Sequence, residues 1–258
     1  MTEPKIIFED EYILVIDKPH GVVVNRSETQ KEETIQDWLS IRAGSNMVKA
    51  NRSNSTNPAN PTNATYDKTK EYYERAGIVH RLDKDTSGVL LIAKNPEVFA
   101  NIQNQFKERE VVKEYIALVH GDLKEKLGRT NFVFTIDAPI GRNPRNRMKW
   151  AVVEGGREAL TIFNFQFSIV KDQGCFSLIK CKPKTGRTHQ IRVHLTALGY
   201  PIVGDPLYLG KKIRTMDLEW CPRMFLHAVK LGITHPVSGK EVVFESSLPN
   251  ELQILVKN

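Results

Sequence analysis

The sequence predicts an α+β fold. Short apolar runs, rich in branched residues and bounded by turn residues, recur along the chain, while only a few segments space their apolar residues as a helix does. There are no internal repeats and no heptads, which sets aside solenoid and coiled-coil architectures. The 258 residues suffice for one large domain or two small ones.

The elements follow in order. Ile13 and Val15, with Leu14 and Ile16, form a short apolar strand; Asp17-Lys18-Pro19-His20-Gly21 is a turn, and Val22, Val23 and Val24 start a return strand. Thr34 to Ile41 has Ile35, Trp38 and Leu39 on one helical face. From Ala43 to Tyr66 there is no acidic residue, and Asn recurs with Ser, Thr and two prolines. Such a segment buries too little apolar area to offset its ordering entropy, so a flexible insertion at about 43–70 is expected. Its Lys49 and Arg52 suit an RNA contact, but the segment reads first as an unselected surface insertion.

Val89 to Ala93 suits a buried strand. Asn95 caps a helix with Pro96 at its first position, Glu97 in its first turn, and Phe99, Ile102 and Phe106 on the core face. Lys113 to Gly121 alternates, with Tyr115, Ala117 and Val119 facing one way and Ile116 and Leu118 the other. Phe132 to Ile179 reads as several short strands with a basic connection from Arg142 to Lys149. Thr188 is the expected N-cap of a helix that stops at Gly199, and on it Thr188, Arg192 and Leu195 share a face. Pro201 to Lys240 alternates turns and short strands, with a strand over Leu226–Ile233 and a turn over Pro236–Gly239.

Composition narrows the function. No apolar run approaches the ~18 residues of a membrane helix, and the acidic N-terminal stretch is unlike a secretory signal. Three cysteines, Cys175, Cys181 and Cys221, exclude a disulfide-dense scaffold and point to a reducing, cytoplasmic location. The net charge of +7 favours a polyanionic partner, most simply nucleic acid, although many basic proteins bind none.

Several chemistries drop out. Gly204 to Lys212 resembles a phosphate loop but has one residue too many between its glycines, and Lys212 stands where Ser or Thr would bind magnesium. There is no G-x-S-x-G elbow. The cysteines lack metal spacing, and His189 and His194 are five apart, so no metal site is expected. His80-Arg81-Leu82-Asp83 places charges just before a buried strand. A carboxylate there serves catalysis, but taken alone it reads first as a cap or turn residue.

Three long motifs weight the catalytic reading. HRLDKDTSGVLLIAK at 80–94, KEYIALVHG at 113–121 and GRTHQIRVHLTALGYPIVGDPLY at 186–208 resemble, in this order, the motifs of the RNA pseudouridine synthases of the RluA family. DKPHG at 17–21 and LHAVKLGITHPVSGK at 226–240 also resemble family segments. The resemblance runs from about residue 5 to the C-terminus, broken by the Asn-rich insertion.

That resemblance implies one catalytic domain over 1–258, with a bent, mainly antiparallel mixed sheet flanked by helices and a central cleft. Many members of that family carry a small RNA-binding domain before the catalytic one; here the first motif begins within about the first dozen residues, so no separate N-terminal RNA-binding domain is expected. The implied activity is site-specific isomerisation of uridine to pseudouridine in structured RNA, ribosomal or transfer, with no metal or organic cofactor. Asp83 would act at the target nucleoside as nucleophile or base. Arg192 matches the arginine that pairs with this aspartate, and Tyr115 the tyrosine that stacks on the base and is placed for proton removal at C5. Arg81 matches a contact to the displaced nucleotide, which must leave its stack to be reached. Arg187, Arg142, Arg145, Arg147 and Lys149 are candidate RNA contacts. His80, His189 and His194 are expected to be hydrogen-bonded structural residues, Lys84 and Asp85 to shape the loop, and Ile191 and Leu195 to be wall and core. A monomer in the cytoplasm is expected.

Two rivals stand beside this reading. One is a non-catalytic RNA-binding or RNA-folding protein on the same fold, which has no reason to keep Asp83, Tyr115 and Arg192 together. The other is a nuclease, which usually needs clustered carboxylates for metal ions, or a glycosidase, which would release free uracil.

Overall fold

A computed structural model describes residues 3–27, 30–42, 63–127 and 132–257. The chain divides into two compact units, Met1–Val111 with Leu231–Ser246, and Val112–Lys230 with Ser247–Asn258. In both units strands pair mainly antiparallel and helices accompany them, as the α+β expectation requires.

The first unit is built on β1 (Lys5–Glu9), β2 (Ile13–Lys18) and β3 (Ser87–Ala93). β2 pairs with both neighbours, Ile16 lying opposite Ile6 on one side and Leu90 on the other. All of β3 is buried, as are Ile13 to Ile16, which is why both segments read as unbroken apolar runs. Helix α3 (Pro96–Lys107) covers this sheet with Val98, Phe99 and Ile102. Burying each such side chain contributes about 1.5–3 kcal/mol. Its start is as predicted: Asn95 Oδ1 accepts from the Val98 amide, with Pro96 just inside.

Helix α1 (Ile35–Arg42) is capped reciprocally, the Asp37 amide donating to Thr34 Oγ1 and the Thr34 amide to Asp37 Oδ2. The expected return strand at Val22–Val24 does not form. The Val23 and Val24 carbonyls instead accept from the Ile35 and Gln36 amides, and β2 finds its partners in β1 and β3. Of the expected Asn-rich insertion, residues 43–62 lie outside the described residues. From Asn63 the chain is helical, as α2 (Asn63–Glu74). Glu71 ties α2 to α3, accepting from Lys68, Arg75 and Gln103. Burial pushes its carboxyl up, but these donors outweigh it and hold it down at about 2.

The second unit contains β4 (Val112–His120), α4 (Leu123–Leu127), β5 (Val133–Asp137), β6 (Ile140–Arg142), β7 (Trp150–Val152), β8 (Leu160–Lys171) and β9 (Gly174–Pro183). It continues with α5 (Gln190–Leu198), α6 (Lys211–Leu218) and α7 (Asn250–Val256). Strands run in the order β4-β9-β8-β5. β8 and β9 are 12 and 10 residues long, so the middle of the chain is dominated by one long hairpin rather than by short strands alone. The alternation of β4 is as predicted: Tyr115, Ala117 and Val119 pack with Phe163, Ile179 and Leu195, while Ile116 and Leu118 pack with Phe176 and Phe225. Helix α6 was not expected; its sequence, KKIRTMDL, is too polar to show a helical stripe. β10 (Leu226–Thr234) gives Leu226–Lys230 to the second unit and Leu231–Thr234 to the first, where β11 (Glu241–Glu245) follows.

Candidate active site

In the first unit the approach to Asp83 is set by Gly77. Its φ is +75°, and a Cβ there would run into the Ala93 carbonyl, which lies beside it because the Ala93 amide donates to the Gly77 carbonyl. Ile78 then bridges to Ile92. His80 Nε2 accepts from the Leu91 amide at 3.0 Å, and its ring stacks on Phe106 with centroids 4.9 Å apart. His80 is therefore structural, as expected, and Leu82 is a buried anchor.

Asp83 itself is half-buried and starts a turn closed by the Thr86 amide on the Asp83 carbonyl. The next carbonyl, of Lys84, accepts from the Gly21 amide and from Lys18 Nζ. Lys18 is wholly buried and also donates to the Pro19 and Val22 carbonyls, at 2.8 Å each. One buried ammonium thus fastens the 17–21 turn to the loop that carries Asp83. Lys84 Nζ meets Glu32 at 2.9 Å, and His20 lies 4.0 Å from Asp85, so both acidic-motif neighbours shape the loop. Arg81 is exposed beside them.

In the second unit Tyr115 sits on β4 opposite Cys181, half-buried in a cluster with Phe163, Ile191 and Leu195. Beside it burial pushes Glu114 up, but Lys182 and Lys180 outweigh this and hold its carboxyl below the usual range. Arg192 is buried in α5 and forms a fork with Asp205, Nε to Oδ2 and Nη2 to Oδ1, both at 2.8 Å. Asp205 was not singled out by the sequence reading. Its Oδ1 also accepts from the Leu207 and Tyr208 amides, and the Arg192 guanidinium lies over the Tyr208 ring, 5.1 Å from its centre.

The helix start differs from expectation. His189, with φ +55°, is the N-cap residue and Thr188 is exposed outside the helix. The missed residue is Gln190: its Oε1 accepts from the Arg187 amide and Thr185 Oγ1, and its Nε2 donates to the Leu160 carbonyl and Thr161 Oγ1. These contacts tie the helix start to the chain around Leu160 and Thr185, and no side chain caps the first-turn amides. The stop at Gly199 holds, with φ +90° and its amide turned back on α5. His194 is wholly buried between Thr161 Oγ1 and the Ala138 carbonyl, and burial pushes its imidazole down despite the Ala138 carbonyl and Asp137. His189 Nδ1 meets the Tyr208 hydroxyl at 3.0 Å.

The basic connection joins β6 to β7. Arg145 and Arg147 are exposed, and Arg142 folds back, its guanidinium 4.4 Å from the Trp150 ring and one Nη1 donating to the Arg147 carbonyl. Lys149 lies 6.0 Å from the Tyr208 ring centre, and the Trp150 amide donates to the Tyr208 hydroxyl. Arg187 is half-buried with Nε on the Glu158 carbonyl. Tyr208 therefore brings the hairpin and Arg192 together; Asp83 and Arg81 share the loop of the other unit. Among the described residues no cluster of three His, Cys, Asp or Glu side chains is arranged to hold a metal ion, and no helix is long and apolar enough to cross a membrane.

Known proteins share this construction. A ribosomal large subunit pseudouridine synthase D of Nitrosomonas europaea is 37% identical over 256 residues, covering 98% of this chain and 64% of the relative's length. An uncharacterized RNA pseudouridine synthase of Bacillus subtilis is 36% identical, with 98% of this chain and 72% of the relative covered. The solved structure of human RNA pseudouridylate synthase domain containing 1 superposes with a TM-score of 0.66 at 26% identity, over 98% of this chain and 93% of that one. The family model described as RNA pseudouridylate synthase matches residues 12–197, a span holding the Asp83 loop, the Tyr115 strand and Arg192 on its helix; by that match the chain belongs to the RNA pseudouridylate synthase family.

Proposed function

We propose that this chain isomerises uridine to pseudouridine at a chosen site of structured RNA, ribosomal RNA in the first instance. The observation that carries the reading is the Asp83 loop, a half-buried carboxylate on a turn that a buried lysine and a stacked histidine hold at the entry to β3. A fixed carboxylate with its backbone committed elsewhere suits chemistry at one atom of a bound nucleoside.

The reaction breaks the N1–C1′ bond, turns the uracil and joins C5 to C1′. C5 loses a proton and N1 gains one, so no redox group is required. Asp83 acts at the ribose as nucleophile or base. Tyr115 stacks on the base and takes part in removing the C5 proton, and Arg192 supplies positive charge to the carboxylate. Arg81 meets the displaced nucleotide, whose removal from its stack costs a few kcal/mol. The exposed Arg145 and Arg147, with Arg142, Lys149 and Arg187, contact phosphates. The whole chain serves this one reaction, as a monomer in the cytoplasm.

Chemical mapping of pseudouridine in ribosomal RNA tests the target. Wild-type protein creates a discrete new modified position in unmodified transcript, and Asp83→Asn creates none while binding the same RNA. Binding without modification by wild type supports a non-catalytic RNA-binding role instead.

A further inference from the structure

The buried pair of Arg192 and Asp205 does more than neutralise charge. A buried ion pair is a poor source of stability, because desolvation offsets much of the attraction. Here the pair is forked, and the carboxylate is itself fixed by two backbone amides, of Leu207 and Tyr208. The guanidinium is also floored by the Tyr208 ring. That ring is pinned at its far end by the Trp150 amide and His189. One edge and one face of Arg192 are thus set, which fixes the plane and direction of the group.

We propose that Asp205 is a positioning residue for the isomerisation, aiming Arg192 with Tyr208 as its floor. The inference rests on the function proposed above. Asp205 is 0% exposed, so it cannot contact RNA directly. Its effect must pass through Arg192 and fall on turnover rather than on RNA binding. Asn at this position retains the shape and one oxygen for the Leu207 and Tyr208 amides, but turns an amide group toward the Arg192 N–H donors and breaks the fork.

The test is full-length protein on 5-tritiated ribosomal RNA, read as tritium release at saturating and limiting RNA, with folding followed by circular dichroism. Asp205→Asn is expected to lower kcat by about 30-fold, the size of one lost charge-assisted contact, with KM for RNA within about threefold. In an Arg192→Met background, measured under single turnover, Asp205→Asn costs no more than about threefold further. Should Asp205→Asn fail to fold, Tyr208→Leu removes the floor and hydroxyl while keeping apolar bulk, and it too lowers kcat at unchanged KM. If Arg192→Met turns over too slowly to measure, the split between kcat and KM decides. A folded variant with wild-type kcat, a loss that appears in KM, or losses that add in the Arg192→Met background each overturn the proposal. Silence of the wild-type protein counts against the function itself, whereas an active wild type with indifferent variants counts against Asp205 alone.

Discussion

Lys18 donates from Nζ to the carbonyl of Lys84, the residue after Asp83, at 3.1 Å, and does so with no solvent exposure. Sixty-six positions apart in sequence, these two residues fix the loop that carries the candidate catalytic carboxylate. Lys18→Met leaves the Pro19, Val22 and Lys84 carbonyls without this donor. The Lys84 carbonyl keeps the Gly21 amide, so two carbonyls are left unsatisfied; each costs about 1–3 kcal/mol, and a loss of at least about 2 kcal/mol is expected. Urea unfolding monitored by circular dichroism measures it, and an unchanged midpoint would show that the lysine holds nothing.

Gly77 precedes the same loop. Gly77→Ala forces a Cβ toward the Ala93 carbonyl at positive φ, so a destabilisation of about 1–3 kcal/mol is expected from backbone strain. A thermal melt equal to wild type rules out the close approach.

His194 gives the fold a pH dependence. Burial lowers its proton affinity in the folded protein, while the unfolded chain keeps an ordinary histidine. As pH falls below about 6.5 the unfolded state takes up a proton that folded His194 refuses, so stability drops. Urea unfolding at pH 7.5 and 5.5 shows this drop, and His194→Gln, which titrates in neither state, shows less of it. Equal drops in both proteins place the titration elsewhere. Glu71 acts lower. Its carboxyl is held at about 2 in the fold, so its contribution is intact above about 4.5, the ordinary value, and lost as pH falls toward 2. Glu71→Gln therefore narrows the difference between pH 4.5 and 2.5.

The β6–β7 hairpin is expected to act on binding alone. Arg145→Ala with Arg147→Ala lowers RNA affinity and reduces the salt slope of binding by up to about 2, one for each phosphate contact. Turnover at saturating RNA stays at wild-type level. A slope unchanged across a salt titration removes the hairpin from the interface.

What the sequence disclosed was decided locally. The α3 start needed only Asn95, Pro96 and Glu97 in a row, and β4 declared itself by alternation. What escaped was decided at a distance. Val22–Val24 looks like a strand until its carbonyls are claimed by α1, and Thr188 looks like a cap until Gln190, bonded to Thr185 and the Arg187 amide, holds the helix start one residue later, at His189. α6 hid because a surface helix with Lys211, Lys212 and Arg214 has little apolar stripe. Asp205 falls inside the stretch that resembles a phosphate loop. An Asp before Pro that accepts the amides two and three residues on is a turn signal, but nothing local announced Arg192 as its partner.

The most direct measurement is tritium release from RNA carrying 5-tritiated uridine, with wild type and Asp83→Ala side by side. The C5 hydrogen leaves when carbon at that position joins the ribose. Release by wild type and none by Asp83→Ala, with both proteins folded and binding RNA, is the predicted result. Equal release from both contradicts the assignment of Asp83, and free uracil in place of tritium release contradicts isomerisation itself.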